Sequence, residues 1–127
     1  MISRAMKDMI DSYVQAYNTF DIEGMMSFLH DDITFRNIAS GEITAETQGI
    51  QHFRELAQQS AAMFATRCQT ITGYNWNDDC IEVGIMYKGT FDVDLPNGYK
   101  SGDQLELNGT SKFKIADDKI ILIEDYS

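Results

Sequence analysis

The chain has 127 residues and sets 20 acidic against 10 basic side chains, a formal net charge of −10. A phosphate-backbone binder presents a basic surface, so this balance argues against nucleic acid and against anionic membrane surfaces as partners. No apolar run reaches the ~18–20 residues of a membrane span, and the N-terminal stretch lacks the apolar block and cleavage site of a secretory signal. The expectation is therefore one cytoplasmic domain, residues 1–127.

Ser3 is placed to cap a first helix. Met6, Ile10, Tyr13, Tyr17 and Phe20 then recur every three or four residues, one apolar face of about four turns. Asp21 opens a shorter second helix, with Glu23 in its first turn where the macrodipole favours negative charge. Met25, Met26, Phe28 and Leu29 are its apolar surface, and His30-Asp31-Asp32 ends it, which puts His30 at a helix C-terminus. Residues 33–37 form a strand. Residues 39–47 read as a loop with a short edge strand at 42–45. From Gln48 the period is helical again, with Ile50, Phe53, Ala57, Ala61 and Phe64 in one stripe to about Thr66.

Beyond that point the period becomes two. Strands are expected at residues 70–76, 81–93, 105–115 and 120–126. The breaks between them are turn chemistry: Asn77-Asp78-Asp79, Leu95-Pro96-Asn97-Gly98 and Ala116-Asp117-Asp118. Helices first and strands after, joined by tight turns, describe an α+β fold with an antiparallel meander. The last strand, with Ile120, Ile121, Leu122 and Ile123, is apolar on both faces. A second subunit packed on the outer sheet face accounts for this as a homodimer; the alternative is twist that buries both faces in one chain. Cys68 and Cys80 are in no metal-like or CxxC spacing and are expected to be reduced and packed, unless neighbouring strands bring them together.

The stretches SYVQAYNTFDIEGMMSFLHDDITFRN, TQGIQHFREL and FKIADDKIILIEDY occur in an order that resembles the nuclear transport factor 2-like superfamily, in its SnoaL-like and ketosteroid isomerase-like branch. The resemblance runs over nearly the whole chain. It implies a cone in which N-terminal helices pack on a strongly curved antiparallel sheet (a cystatin-like roll), with an apolar pocket between the layers and frequent dimers. Isomerases, polyketide cyclases, dehydratases, epoxide hydrolases and non-catalytic carriers share that fold, so the fold alone does not give the function.

A ketosteroid isomerase-like site uses an Asp base and an oxyanion hole of a Tyr and a protonated Asp. The resemblance carries the oxyanion-hole tyrosine onto Tyr13 and the base onto Asn37. It carries the protonated acid to the neighbourhood of Ser111. Asn cannot take up a proton near neutral pH. Asn37 is expected either to orient a water or substrate carbonyl, or to hydrogen-bond the backbone of the loop after its strand. Asp125 is the best replacement acid, with Glu42, Glu46 and Glu124 behind it; Asp125 and Glu124 point to opposite faces of one strand. Tyr17, Phe35, Phe53, Phe64, Tyr87, Phe91, Ser111 and Phe113 are the expected pocket residues, with several methionines making the wall adaptable. The histidines His30 and His52 lie apart without ligand spacing, so no metal or other cofactor is expected. The reading is a small-molecule-binding protein for an apolar, carbonyl- or hydroxyl-bearing compound, with isomerase, cyclase or dehydratase chemistry as its enzymatic form. A non-catalytic carrier and a dimeric interaction module with a vestigial pocket are the alternatives.

Overall fold

A computed structural model describes residues 3–77 and 79–127. Helix α1 runs Arg4–Asn18, α2 Ile22–Met26 and α3 Ile50–Ala62. The strands are β1 Leu29–Ala39, β2 Glu42–Gln48, β3 Phe64–Asn77, β4 Cys80–Phe91, β5 Gln104–Ala116 and β6 Lys119–Tyr126. Among the described residues these make one six-stranded sheet in the order β2-β1-β6-β5-β4-β3. The α+β architecture read from the sequence is the one observed, and no helix among the described residues is long and apolar enough to cross a membrane.

The caps act as the sequence reads them. Ser3 Oγ accepts from the Met6 N–H at 3.1 Å, and Asp21 Oδ1 accepts from the Gly24 N–H at 2.9 Å. Each satisfies a donor that a helix start otherwise leaves open. Ile10, Tyr13 and Val14 turn inward on α1 and pack with Met25, Met26, Ile33, Phe53 and Phe113 in one core. Asn18 locks the end of α1 to β3: its amide nitrogen donates to the Gln69 carbonyl at 3.0 Å, and its amide oxygen accepts from the Gln69 N–H at 2.7 Å.

β3 to β6 form the expected antiparallel meander, but β6 also pairs with β1, in parallel. The register then sets Asn37, Asp125, Ser111 and Val83 side by side across four strands. Irregularities in the pairing at Asn37/Ile38, Ile71/Gly73 and Lys114/Ile115 bend the sheet, as bulges do. The neighbouring row on the other face is a ladder of charges. Arg36 donates to Glu46 at 2.5 Å and to Glu124 at 2.9 Å, and Lys112 approaches Glu82 at 3.8 Å. Glu46 and Glu124 therefore serve that ladder, and the hairpin residue Glu42 is exposed.

Several boundaries differ from those the sequence gives. α2 stops at Met26 and β1 starts at Leu29, so His30 is in a strand, with Nε2 3.3 Å from Asp117. The reason is the parallel pairing: the Ile120 N–H donates to the Phe28 carbonyl at 2.9 Å, so the sheet already holds the chain there. The region after β1 is a full hairpin strand, turned at Ser40 and Gly41, both with positive φ. α3 ends at Ala62, and Phe64 begins β3 opposite Phe91. Phe20 lies past the end of α1. Cys68 is exposed and not packed, Cys80 is half-buried, and both are free; their register partners are Lys88 and Asn77, so the strands do not bring them together. The turn expected at Asn77-Asp78-Asp79 contains Asp78, which lies outside the described residues.

Candidate functional site

Helices α1 and α3 lie over the concave face of the sheet and enclose a cavity of about 450 Å³. That is the size range of small-molecule sites. Tyr13 and Tyr17, four residues apart, share one face of α1 and both reach the cavity, as helical geometry requires. Phe35 and Phe53 come from β1 and α3 and meet at 5.0 Å between ring centroids. Phe64, Tyr87, Ser111 and Phe113 complete the predicted wall. Phe91 does not belong to it: its ring stacks on Phe64 at 4.8 Å and meets Tyr99 on another side at 4.8 Å, so it supports the wall from behind. Gly89 makes that arrangement possible, because a Cβ there would stand 2.7 Å from the Phe64 ring.

Asp125 and Ile123, two apart on β6, both line the cavity while Glu124 does not, which decides the question of parity left open by the sequence. The Asp125 carboxylate accepts a hydrogen bond from Ser111 Oγ at 2.7 Å. Burial among apolar neighbours raises its pKa from 3.8 to about 6, and the Ser111 bond only partly opposes this. Asp125 thus gains or loses its proton near neutral pH, the range in which general bases work. Tyr13 is buried, and its ring meets Phe113 edge-on at 6.2 Å. Burial first, and the Asp125 charge second, push its pKa well above the ordinary value for tyrosine. Its hydroxyl stays protonated, a hydrogen-bond donor. Tyr17 and Tyr87 are held protonated in the same way, chiefly by burial, and their hydroxyls share a 2.9 Å hydrogen bond across the cavity.

Asn37 lines the cavity beside Asp125, but its amide nitrogen is already used: it donates to Thr44 Oγ1 at 2.8 Å, and Thr44 Oγ1 donates to the Asn37 carbonyl at 3.3 Å. In place of the loop backbone that one expectation named, the Asn37 amide is held by a side-chain hydroxyl on the adjoining strand β2.

Arg67 was not among the expected site residues. It lines the cavity from β3 at 5 % exposure, and its Nε donates to the Tyr17 carbonyl at 2.9 Å. The sequence signal was parity: Arg67 shares the inward set of Gln69 and Ile71, but becomes visible only when the strand starts at Phe64. Among the described residues, Arg67 and Asp125 are the charged side chains on the wall.

The fold recurs widely in solved structures. A proposed polyketide cyclase from Xanthomonas campestris superposes with a TM-score of 0.83 at 18% identity, over 98% of this chain and 90% of that one. A protein of ketosteroid isomerase-like fold from Catenulispora acidiphila, in complex with trimethylamine, gives 0.77 at 16%, over 94% and 85%. IdmH, a proposed polyketide cyclase from Streptomyces antibioticus, gives 0.76 at 15%, over 97% and 91%. No curated protein matches the sequence. The model of the SnoaL-like domain matches residues 10–123, nearly the whole chain, and the protein belongs to the SnoaL-like domain family.

Proposed function

We propose that the protein binds an apolar carbonyl compound in this cavity and catalyses acid–base chemistry on it, of the isomerase or cyclase type, with Asp125 as the base. The observation that carries the reading is a carboxylate with its pKa at about 6, set in an apolar cavity beside a protonated tyrosine. Asp125 removes a proton from the carbon next to the carbonyl. The electron pair of that C–H bond moves onto the carbonyl oxygen, and the Tyr13 hydroxyl stabilises the developing enolate by hydrogen bonding. The Asp125 carboxylic acid then returns the proton at the same or another carbon. Ser111 holds the carboxylate in place, and Asn37 supplies a polar neighbour. The roles differ from the resemblance in their positions: the acid on β6 replaces the one missing at Asn37. A carrier with the same cavity is the second reading, favoured by the amide of Asn37 being tied to Thr44.

The test is solvent deuterium exchange into a panel of apolar ketones with acidic α C–H bonds, such as 2-tetralone and cyclic 1,3-diketones. Wild type should accelerate exchange with a rate that rises through pH 6. Asp125→Asn should lower it about 10²–10⁴-fold, and Tyr13→Phe should lower it while leaving the pH inflection in place. Binding of the ketones without exchange in the wild type would leave the carrier reading.

The homodimer stays a proposal. Its support is the half-buried Leu122, on the face of β6 opposite the cavity-lining Ile123, with Met86 46% exposed further along the outer face. Sedimentation velocity at micromolar concentration should give twice the chain mass, and Met86→Glu together with Leu122→Lys should give the monomer. A monomeric wild type ends this proposal.

A further inference from the structure

We propose that the ligand is an apolar organic acid whose carboxylate seats on Arg67. The inference rests on reading the cavity as a ligand site, but not on the base role of Asp125.

Arg67 is a guanidinium at 5 % exposure with incomplete partnering. Its Nε has the Tyr17 carbonyl, while its Nη2 is buried without a hydrogen-bond partner. A buried charge without a counter-charge costs several kcal/mol in general, and proteins ordinarily pair it. Among the described residues no acid forms an ion pair with Arg67, although the chain has 20 acids against 10 bases. Directly across on β4 stands Gly89, and beyond it on β5 stands Leu105; neither offers an oxygen from its side chain. Asp125, the one carboxylate side chain on the cavity wall among the described residues, is held by Ser111.

The guanidinium is also gripped. Its Cζ lies over the Tyr17 ring, 3.7 Å from the centroid, and over the Phe20 ring, 4.6 Å from the centroid. Phe20 takes φ 60, a region that bulky side chains avoid, and in that conformation its ring contributes to the clamp. A planar fork of N–H donors held between two rings, with one donor unpartnered, suits the oxygens of a carboxylate. Of the hydroxyls of Tyr17 and Tyr87, 2.9 Å apart, one donates to the other and the second keeps its O–H as a further donor on the same wall. Phe64 and Leu105 beside them are apolar, which suits a flat hydrocarbon body. The ligand would thus have two poles, an acid at Arg67 and a reacting carbonyl toward Asp125.

The experiment is titration calorimetry with 2-naphthoate and its neutral isostere 2-naphthamide at pH 7.5. Wild type should bind the naphthoate at least tenfold more tightly. Arg67→Met should abolish that preference and keep the amide affinity, and Asp125→Asn should preserve the preference while losing exchange activity. Equal affinity of the two probes for the wild type, or an unchanged preference in Arg67→Met, overturns the inference and leaves the base role of Asp125 standing. If neither probe binds at millimolar concentration, the ligand-site reading falls, and the inference with it. Should Arg67→Met lose its fold by circular dichroism, the wild type still decides: the Arg67 Nε–H resonance must move with naphthoate and stay with naphthamide, and a static resonance rejects the seat.

Discussion

Asp125→Asn should yield a protein more stable than its parent at neutral pH. The folded carboxyl holds its proton up to about pH 6, against 3.8 when free in water. Between those values the folded chain binds more protons than the unfolded one. Stability therefore falls as pH rises from about 4 through 6, and the whole penalty is in place above pH 6. The shift corresponds to roughly 3 kcal/mol, and solvent reaching the carboxylate through the cavity lowers this toward about 2 kcal/mol. The amide of the variant has no charge to desolvate, and its oxygen can still accept from Ser111. Chemical denaturation at pH 7.5 should show Asp125→Asn ahead by about 2–3 kcal/mol, or roughly 8–12 °C in Tm, and the gap should close by pH 4. A variant less stable than wild type at pH 7.5 rejects the desolvated carboxylate. Such a gain on removing a site acid is the usual trade between stability and function.

Phe113→Ala should have the largest structural cost. Phe113 is 2% exposed near the C-terminal end of β5, between Ile81 on β4 and Ile123 on β6, with its ring edge-on to Tyr13. Truncating a buried Phe costs about 3–5 kcal/mol, a large part of the ~5–15 kcal/mol that holds a domain of this kind together. The vacated volume would join the existing cavity and free the Tyr13 ring to tilt. Urea denaturation should show the loss, and Phe113→Leu, which keeps most of the volume, should cost less than about 1.5 kcal/mol. A loss below about 1 kcal/mol for the alanine variant contradicts the packing described.

Periodicity made the helices and the meander legible, because each element buries one face and repeats at its own interval. Boundaries were less legible where tertiary pairing overrode the local pattern. Leu29 to Asp32 look like the end of a helix until β6 arrives from far along the chain, Ile120 pairing with Leu29. Phe64 continues the stripe of α3 but is drawn into β3 by Phe91. The pocket aromatics could be read because bulky apolar residues at inward parity have few other places to go. Arg67 could not, since an arginine flanked by Thr66 and Cys68 ordinarily marks a solvated face, and only the completed sheet encloses it. Asp125 could be named but not oriented, because the face a strand turns inward depends on its neighbours.

The parallel seam between β1 and β6 has a consequence in time. Asn37 meets Asp125 only after nearly the whole chain between them has been ordered. Pairings of such long sequence separation are entropically late and slow folding toward the millisecond-to-second range. The helices and the β3–β5 meander can gather earlier from nearer contacts. Until β6 docks, β1 and β5 each present an unpaired edge, the state in which strands recruit the wrong neighbours. The strand that carries Asp125 is therefore also the one whose arrival covers the two inner edges, on β1 and β5, and protection of its backbone amides after refolding should report the last event on the pathway.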